Sequence, residues 1–345
     1  MRSPILPLLA IALTTGTAAA AFAYTAGWLS PDRLTPARIV DALSQRGGEP
    51  TGHRRNHAKG ICVTGEFEAN GAAARLTTAP MLAPGRYPVT GRFAIATGNP
   101  AAPDATGRVR SMALRITAPG GQEWRTGMNN SPVFVVADPQ AFYELTLAAR
   151  PDPATGRPDP AAMPRFVANH PEAAPFLQWA RTAPWTASYA GLRYYALNAF
   201  RLVDAAGTRH PVRWSMEPVD PAATAPLAAP SDLAPDALAQ DLTQRLAQAP
   251  LRWRLVITLA APTDPTNDAT KAWPEDRERI DAGTLTLRAA QDEATGPCRD
   301  INYDPLILPA GIEASDDPLL PARSAAYINS FDRRIAETAR AERRP

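Results

Sequence analysis

The spacing of hydrophobic and polar residues changes several times along this chain, and each change marks an element. Residues 5–29 ("ILPLLAIALTTGTAAAAFAYTAGWL") carry no charge, and none intervenes between Arg2 and Asp32. Such a run predicts an export segment, either a signal peptide cut near Ala21-Phe22-Ala23 or an uncleaved anchor, with a buried soluble helix as the remaining alternative. With Arg2 on the inner side and Trp28 at the interface, the body would lie outside the cytoplasm. "PARIVDALSQRGG", from Pro36 to Gly48, has the 3.6-residue period of a short amphipathic helix closed by glycine. From Ile61 to Ala137 the pattern becomes strand-like: "ICVTGEFEA", "RYPVTGRFAIA", "RSMALRITA" and "SPVFVVA", separated by Gly and Pro clusters. Short strands with turn signals between them predict an antiparallel barrel or sandwich.

Further on, "PQAFYELTLAAR" and "PEAAPFLQWARTA" read as helices. "YYALNAFRLVDAAGTRHPVRWSME" reads as a hairpin turning at Ala206-Gly207, and Pro218 to Pro230 as a loop. "SDLAPDALAQDLTQRLAQAP" predicts a capped helix, followed by strands at "LRWRLVITLAA" and "AGTLTLRAA". The final segment predicts a helix with Ser315 as N-cap, Asp316 and Asp317 at its positive end, and an apolar stripe of Leu320, Ala326, Phe331 and Ile335. Pro321 lies near enough to the first turn to be tolerated. The expected domains are an export segment over 1–30 and a single α+β body over 31–345.

Composition narrows the class. The chain has 345 residues, 37 prolines, and 36 basic against 34 acidic side chains for a net charge of +2. The prolines suit a loop-rich β protein, and the balanced, dispersed charge excludes a nucleic-acid footprint. Two cysteines, Cys62 and Cys298, fit no zinc or redox spacing; an oxidising compartment would let them pair, and two buried free thiols is the alternative.

The candidate chemistry lies in dispersed residues. In "RSAAY", Arg323 and Tyr327 are one helical turn apart, so a guanidinium can favour the tyrosinate form of a phenol whose reference pKa is about 10. Tyrosinate is a hard anionic ligand for ferric iron. "RRNHAKGICVTGEFEA" places His57 just before a strand, beside Arg54; "VTGRFAIATGN" supplies Arg92; "GMNNSPVFVVADPQAFYEL" supplies Asn129, Phe134 and Phe142. His53, His170 and His210 show no metal spacing and read as surface or structural residues.

Taken together and in this order, these segments resemble the catalase family. The likeness runs from about residue 36 to about residue 340, through a distal-histidine motif at His57, a distal-asparagine motif at "MNNSPVF" and a proximal segment "YDPLILPAGIEASDDPLLPARSAAY". The resemblance implies a catalase-like antiparallel β-barrel with surrounding helices and haem, of the b type, buried between the barrel and the C-terminal helix. It implies Tyr327 as axial iron ligand, Arg323 as its charge partner, His57 as acid-base group and Asn129 as hydrogen-bond donor to peroxide. Phe134 and Phe142 would cover the haem plane, with Arg54, Arg92 and Arg334 on its carboxylates.

There are departures. Where typical catalases carry a serine that hydrogen-bonds the distal histidine, this chain has Ala94, which leaves the orientation of His57 less secured. Ala96 stands for the valine that narrows the channel, which would widen the approach. The helical domain that follows in full-length catalases and their long N-terminal arm are expected to be absent. The nearer resemblance is therefore to the short catalase-related peroxidases, using hydrogen peroxide or organic hydroperoxides with an unknown electron donor, in the periplasm on the inner membrane. A true catalase, a fatty-acid hydroperoxide lyase or isomerase, and a non-catalytic haem binder are the alternatives.

Overall fold

In the computed structural model of the protein, residues 5–26, 28–30, 33–48, 50–220, 226, 227 and 229–343 are described. Arg2, Asp32 and residues 221–225 and 228 of the expected loop lie outside them. The strands are β1 (Gly60–Ala69), β2 (Gly85–Ile95), β3 (Arg110–Thr117), β4 (Glu123–Asn129), β5 (Trp185–Thr186), β6 (Tyr194–Tyr195), β7 (Phe200–Val203), β8 (Arg209–Pro218), β9 (Pro226–Leu227), β10 (Leu251–Leu259), β11 (Arg279–Asp292) and β12 (Ile312–Ala314). The helices are α1 (Ile5–Thr25), α2 (Pro36–Gly47), α3 (Pro139–Ala148), α4 (Ala162–Asn169), α5 (Ala174–Thr182), α6 (Ala237–Gln248) and α7 (Leu319–Glu342).

Eight antiparallel strands follow one another in the order β10-β11-β1-β2-β3-β4-β6-β8, and pairing of β8 with β10 closes them into a barrel. Closure removes the exposed edges that would otherwise template aggregation. β7 and β12 extend the β8 side, and β5 and β9 form a separate ribbon. Alternation then separates two faces. Ile61, Val63, Phe67, Phe93, Met112, Leu114, Trp124 and Trp253 fill the main core, each at most 6% exposed. Truncating one of the aromatic members, such as Phe93 to Ala, would cost about 3–5 kcal/mol through lost burial and a residual cavity. The opposite face of the same strands carries Cys62, Arg92, Ala94, Ser111, Ala113, Gly127 and Asn129. Helices cover that face.

Several local expectations hold. α2 starts at an N-cap Thr35 whose hydroxyl accepts from Arg38 N, and ends at Gly48 with φ 77°, a left-handed cap that glycine adopts without strain. The hairpin β7–β8 turns through Gly207, also at positive φ.

Others are corrected. Residues 131–137 are not a strand; the strand that pairs with β3 is β4, Glu123–Asn129. Val133, Val135 and Val136 are buried, the last two in a satellite cluster with α3 and α4, and Phe134 N donates to Ala269 O rather than to a strand ladder. α4 was not foreseen. At the C-terminus Ser315 is not the N-cap. Its hydroxyl accepts from Asp317 N, the carboxylate of Asp317 accepts from Leu319 N, and the helix begins four residues later. Pro321 falls in the first turn, as expected. Along α7 Leu320 is fully buried, but Ile335 is 40% exposed and Arg334 takes the inward position.

α1 is 21 residues long with no buried residue. At ~1.5 Å per residue it is about 30 Å long, enough by length and composition to cross a bilayer.

Candidate functional site

One cavity lies between the outer face of the barrel and helices α2, α3 and α7. The nine residues that the resemblance assigns to catalysis, cofactor binding and the metal, namely Arg54, His57, Arg92, Asn129, Phe134, Phe142, Arg323, Tyr327 and Arg334, all line it. The barrel wall is set by strand register. Ala94, Ser111 and Asn129 are direct partners across β2, β3 and β4, so their side chains share a face. One row along, Arg92, Ala113 and Gly127 are aligned in the same way. Ala113 and Gly127 are small, and the helical wall approaches the row closely at Gly127. A side chain at Gly127 would stand 3.9 Å from Tyr327 Oη and 3.6 Å from the Arg323 guanidinium.

His57 sits just before β1 with φ 53°, a left-handed conformation uncommon outside glycine and of the kind that functional positions retain. Burial, with the nearby charges of Arg92, Arg46, Arg323 and Arg54, lowers its pKa to about 3, so the imidazole is neutral at physiological pH. Its Nδ1 lies 3.1 Å from the hydroxyl of Ser111. Ala94 therefore does not leave the histidine unsupported: the strand beside it supplies the hydroxyl from the facing position. Ala96 N donates to Val109 O, and Ala96 is not among the cavity-lining residues.

The two asparagines of "MNN" separate by contact. Asn130 Oδ1 accepts from Arg110 N, which makes it a turn residue, whereas the Asn129 side chain faces the cavity. Phe134 and Phe142 stack with ring centroids 6.0 Å apart.

On the opposite wall, Arg323 and Tyr327 are one turn apart on α7. Arg323 donates to Asn198 Oδ1, and Asn198 Nδ2 donates to Asp317 Oδ2 at 2.7 Å. Leu197, just before Asn198, also has positive φ. The carboxyl of Asp317 is shifted upward by burial.

At one end of the cavity Arg54, Arg92 and Arg334 converge. Arg92 grips Glu293 through two bonds of 2.8 and 2.5 Å, and Arg54 pairs with the same carboxylate. Arg54 also donates to the carbonyls of Cys298 and Ile301, both at 3.0 Å, and Arg334 donates to the carbonyl of Arg299. Burial lowers the pKa of all three, that of Arg92 to about 10. The loop providing these partners is tied to β1 by a disulfide between Cys62 and Cys298, with Cα atoms 5.4 Å apart. That bond resolves the two readings of the cysteines in favour of pairing.

Three guanidiniums against one carboxylate leave this cradle with two positive charges to be matched. A dianionic group with two carboxylates fits that charge. The residues present therefore suit haem: Tyr327 for iron, the arginines for its carboxylates.

His170 is held between Glu144 and Glu172, His210 by Asp204, and His53 has its pKa lowered by burial and nearby arginines. No cluster of three or more His, Cys, Asp or Glu side chains that could hold a metal ion occurs among the described residues.

Missing from the reading of the sequence are the roles of Ser111, Asn198, Asp317 and Glu293. Each acts across a long chain separation, and only the strand pairing that brings Ser111 opposite Ala94 could have signalled one of them.

Comparison with known proteins gives the family and the fold. The catalase family model matches residues 17–341. A catalase-related peroxidase of Synechococcus elongatus is 38% identical over 94% of this chain and 96% of its own, and one of Mycolicibacterium paratuberculosis is 34% identical over 86% and 94%. A fungal catalase structure superposes with TM-score 0.75 at 21% identity, over 86% of this chain and 62% of that one. A bacterial catalase gives 0.74 at 23%, over 88% and 61%. The chain thus spans about three fifths of those two catalases and nearly all of the two peroxidases, and it belongs to the catalase family, on the side of its short catalase-related peroxidases.

Proposed function

We propose that the protein is a haem-dependent peroxidase that reduces hydrogen peroxide and organic hydroperoxides outside the cytoplasm. One observation carries this reading: a single cavity has a phenol backed by a guanidinium on its helical wall, a neutral imidazole with a carboxamide on its barrel wall, and a dicationic cradle at one end. Haem, of the b type, would be held by Tyr327 and by Arg54, Arg92 and Arg334, and would supply a ferric centre that accepts oxidising equivalents from peroxide and passes them to a donor.

The protein's own groups perform the rest. His57 Nε2 takes the proton from the hydroperoxide O–H and returns it to the departing oxygen, so no naked hydroxide or alkoxide is expelled. With a pKa near 3, the ring is in the accepting form over the whole working range. Asn129 Nδ2 donates a hydrogen bond to the peroxide and stabilises the charge that develops there. Phe134 and Phe142, with Ile39, Val40 and Leu43 of α2, keep the cavity apolar and limit water, which suits organic hydroperoxides. Arg323, one helical turn before Tyr327, is held in place by its hydrogen bond to Asn198 Oδ1.

Two features support the location. Disulfides persist in oxidising compartments, and Cys62–Cys298 is formed. α1 suits a signal sequence or an inner-membrane anchor.

The test is turnover of haem-loaded protein with hydrogen peroxide and with cumene hydroperoxide, with and without an electron donor. Donor-dependent oxidation is the expected result. Oxygen release without donor would indicate a catalase, donor-free rearrangement a lyase or isomerase, and no turnover a haem carrier.

A further inference from the structure

We propose that Ser111 is the positioning residue of His57, fixing the neutral ring with its proton on Nδ1 so that Nε2 presents a lone pair to the cavity. The proposal deepens the peroxidase reading and rests on its assignment of His57.

The hydroxyl of Ser111 has two polar neighbours, His57 Nδ1 at 3.1 Å and the carbonyl of Ala94 at 3.4 Å. A carbonyl can only accept. If the Ser111 hydrogen goes to Ala94 O, the Oγ lone pair is free to accept Nδ1–H, and both contacts are hydrogen bonds. The reverse assignment would satisfy one contact and leave the hydrogen on Nε2, where it cannot abstract a proton. Nε2 has no protein partner among the described residues, so Nδ1 alone can set the tautomer. Burial keeps the ring neutral, which makes the choice between tautomers the one that decides whether it is a base.

Strand register explains why the hydroxyl can come from here. Ser111 is the direct partner of Ala94 on one side and of Asn129 on the other, so the residue that orients the base and the residue that binds the peroxide share one cross-strand row. Because Ala94 and Ser111 project from the same face at facing positions, a hydroxyl moved from position 111 to position 94 remains near the ring.

Two measurements test this. With ring-labelled histidine, the ¹⁵N spectrum of the wild-type protein is expected to show His57 protonated on Nδ1 and bare on Nε2, and Ser111→Ala to show a mixture. In stopped flow, haem-loaded Ser111→Ala is expected to keep its haem content and resting spectrum but react with hydrogen peroxide on the order of 10-fold or more slowly. The double variant S111A/A94S is expected to recover most of the rate. A wild-type ring carrying its proton on Nε2 would overturn the proposal, and so would a Ser111→Ala protein with unchanged tautomer and rate. If the wild-type protein binds no haem, the peroxidase reading fails and the ¹⁵N spectrum still decides the role of Ser111. The wild-type spectrum also decides it should Ser111→Ala not fold.

Discussion

The two walls of the cavity are built by different means. The helical wall is local: Arg323 and Tyr327 lie one turn apart on α7, and helix geometry alone aligns them. The barrel wall is non-local. His57 depends on Ser111, 54 residues away, Arg92 depends on Glu293, 201 residues away, and the loop behind the arginines is fixed by a disulfide spanning 236 residues. On the proposed reading the helical wall would give the metal its ligand, which needs a correct atom in a correct place. The barrel wall would also have to hold a tautomer and a charge balance, and these require several strands in fixed register. Damage to the two walls should therefore differ in kind, with one losing the prosthetic group and the other losing chemistry.

The largest expected effect is on the helical wall. Tyr327→Phe removes the only proposed iron ligand and should abolish stable haem binding or shift the high-spin ferric spectrum, as read by absorption after loading. Next is the base: His57→Ala should retain haem while its peroxide reaction falls by roughly 10²–10⁴-fold, the range typical of a positioned proton-transfer group, in stopped flow. The acid side of the wild-type profile sharpens that comparison. Since the pKa of His57 is lowered from 6.5 to about 3, its neutral form survives acidification, and the rate should stay flat from pH 8 to about pH 4. The same shift has a stability consequence. Between pH 6.5 and about 3 the unfolded chain binds a proton there that the native protein does not, so this contribution is intact above 6.5 and is lost as pH falls through the window. His57→Ala should remove that part of the slope in denaturant titrations across pH.

A smaller effect is expected behind the arginines. The double variant C62S/C298S should lose on the order of 3 kcal/mol of unfolding free energy, by release of a long closed loop. It should also release haem faster to apomyoglobin, because the loop bearing Glu293 and the carbonyls of Cys298, Arg299 and Ile301 is no longer tied to β1. The smallest effect belongs to the N-terminus. Since no residue of α1 is buried in the body, deleting residues 1–30 should leave thermal stability and peroxide reactivity nearly unchanged while abolishing membrane association, as judged by fractionation.

The same contrast explains what was legible in the sequence. Helical periodicity exposed the helical wall directly, and alternation exposed most of the barrel strands. β4 was hidden because its buried series Trp124, Thr126 and Met128 includes a polar residue and its outer series includes Gly127, while the apolar run at 131–137 looked more like a strand than it is. Pro132 and burial against α3 and α4 account for that run without a ladder. Ser315 was a sound N-cap by residue type, but Asp317, drawn into the contact with Asn198, starts the helix later. The support for His57 was misjudged because a missing serine at 94 was visible one residue at a time, whereas its replacement at 111 is visible only once β2 and β3 are in register.

The measurement that tests the central claim most directly is a haemin titration of the purified protein, wild type beside Tyr327→Phe, followed by absorption. A stoichiometric Soret band with a tyrosinate-type high-spin ferric spectrum is expected in the wild type, and its loss or displacement in the variant. A folded wild-type protein without a Soret band, or a variant with an identical spectrum, would contradict the claim.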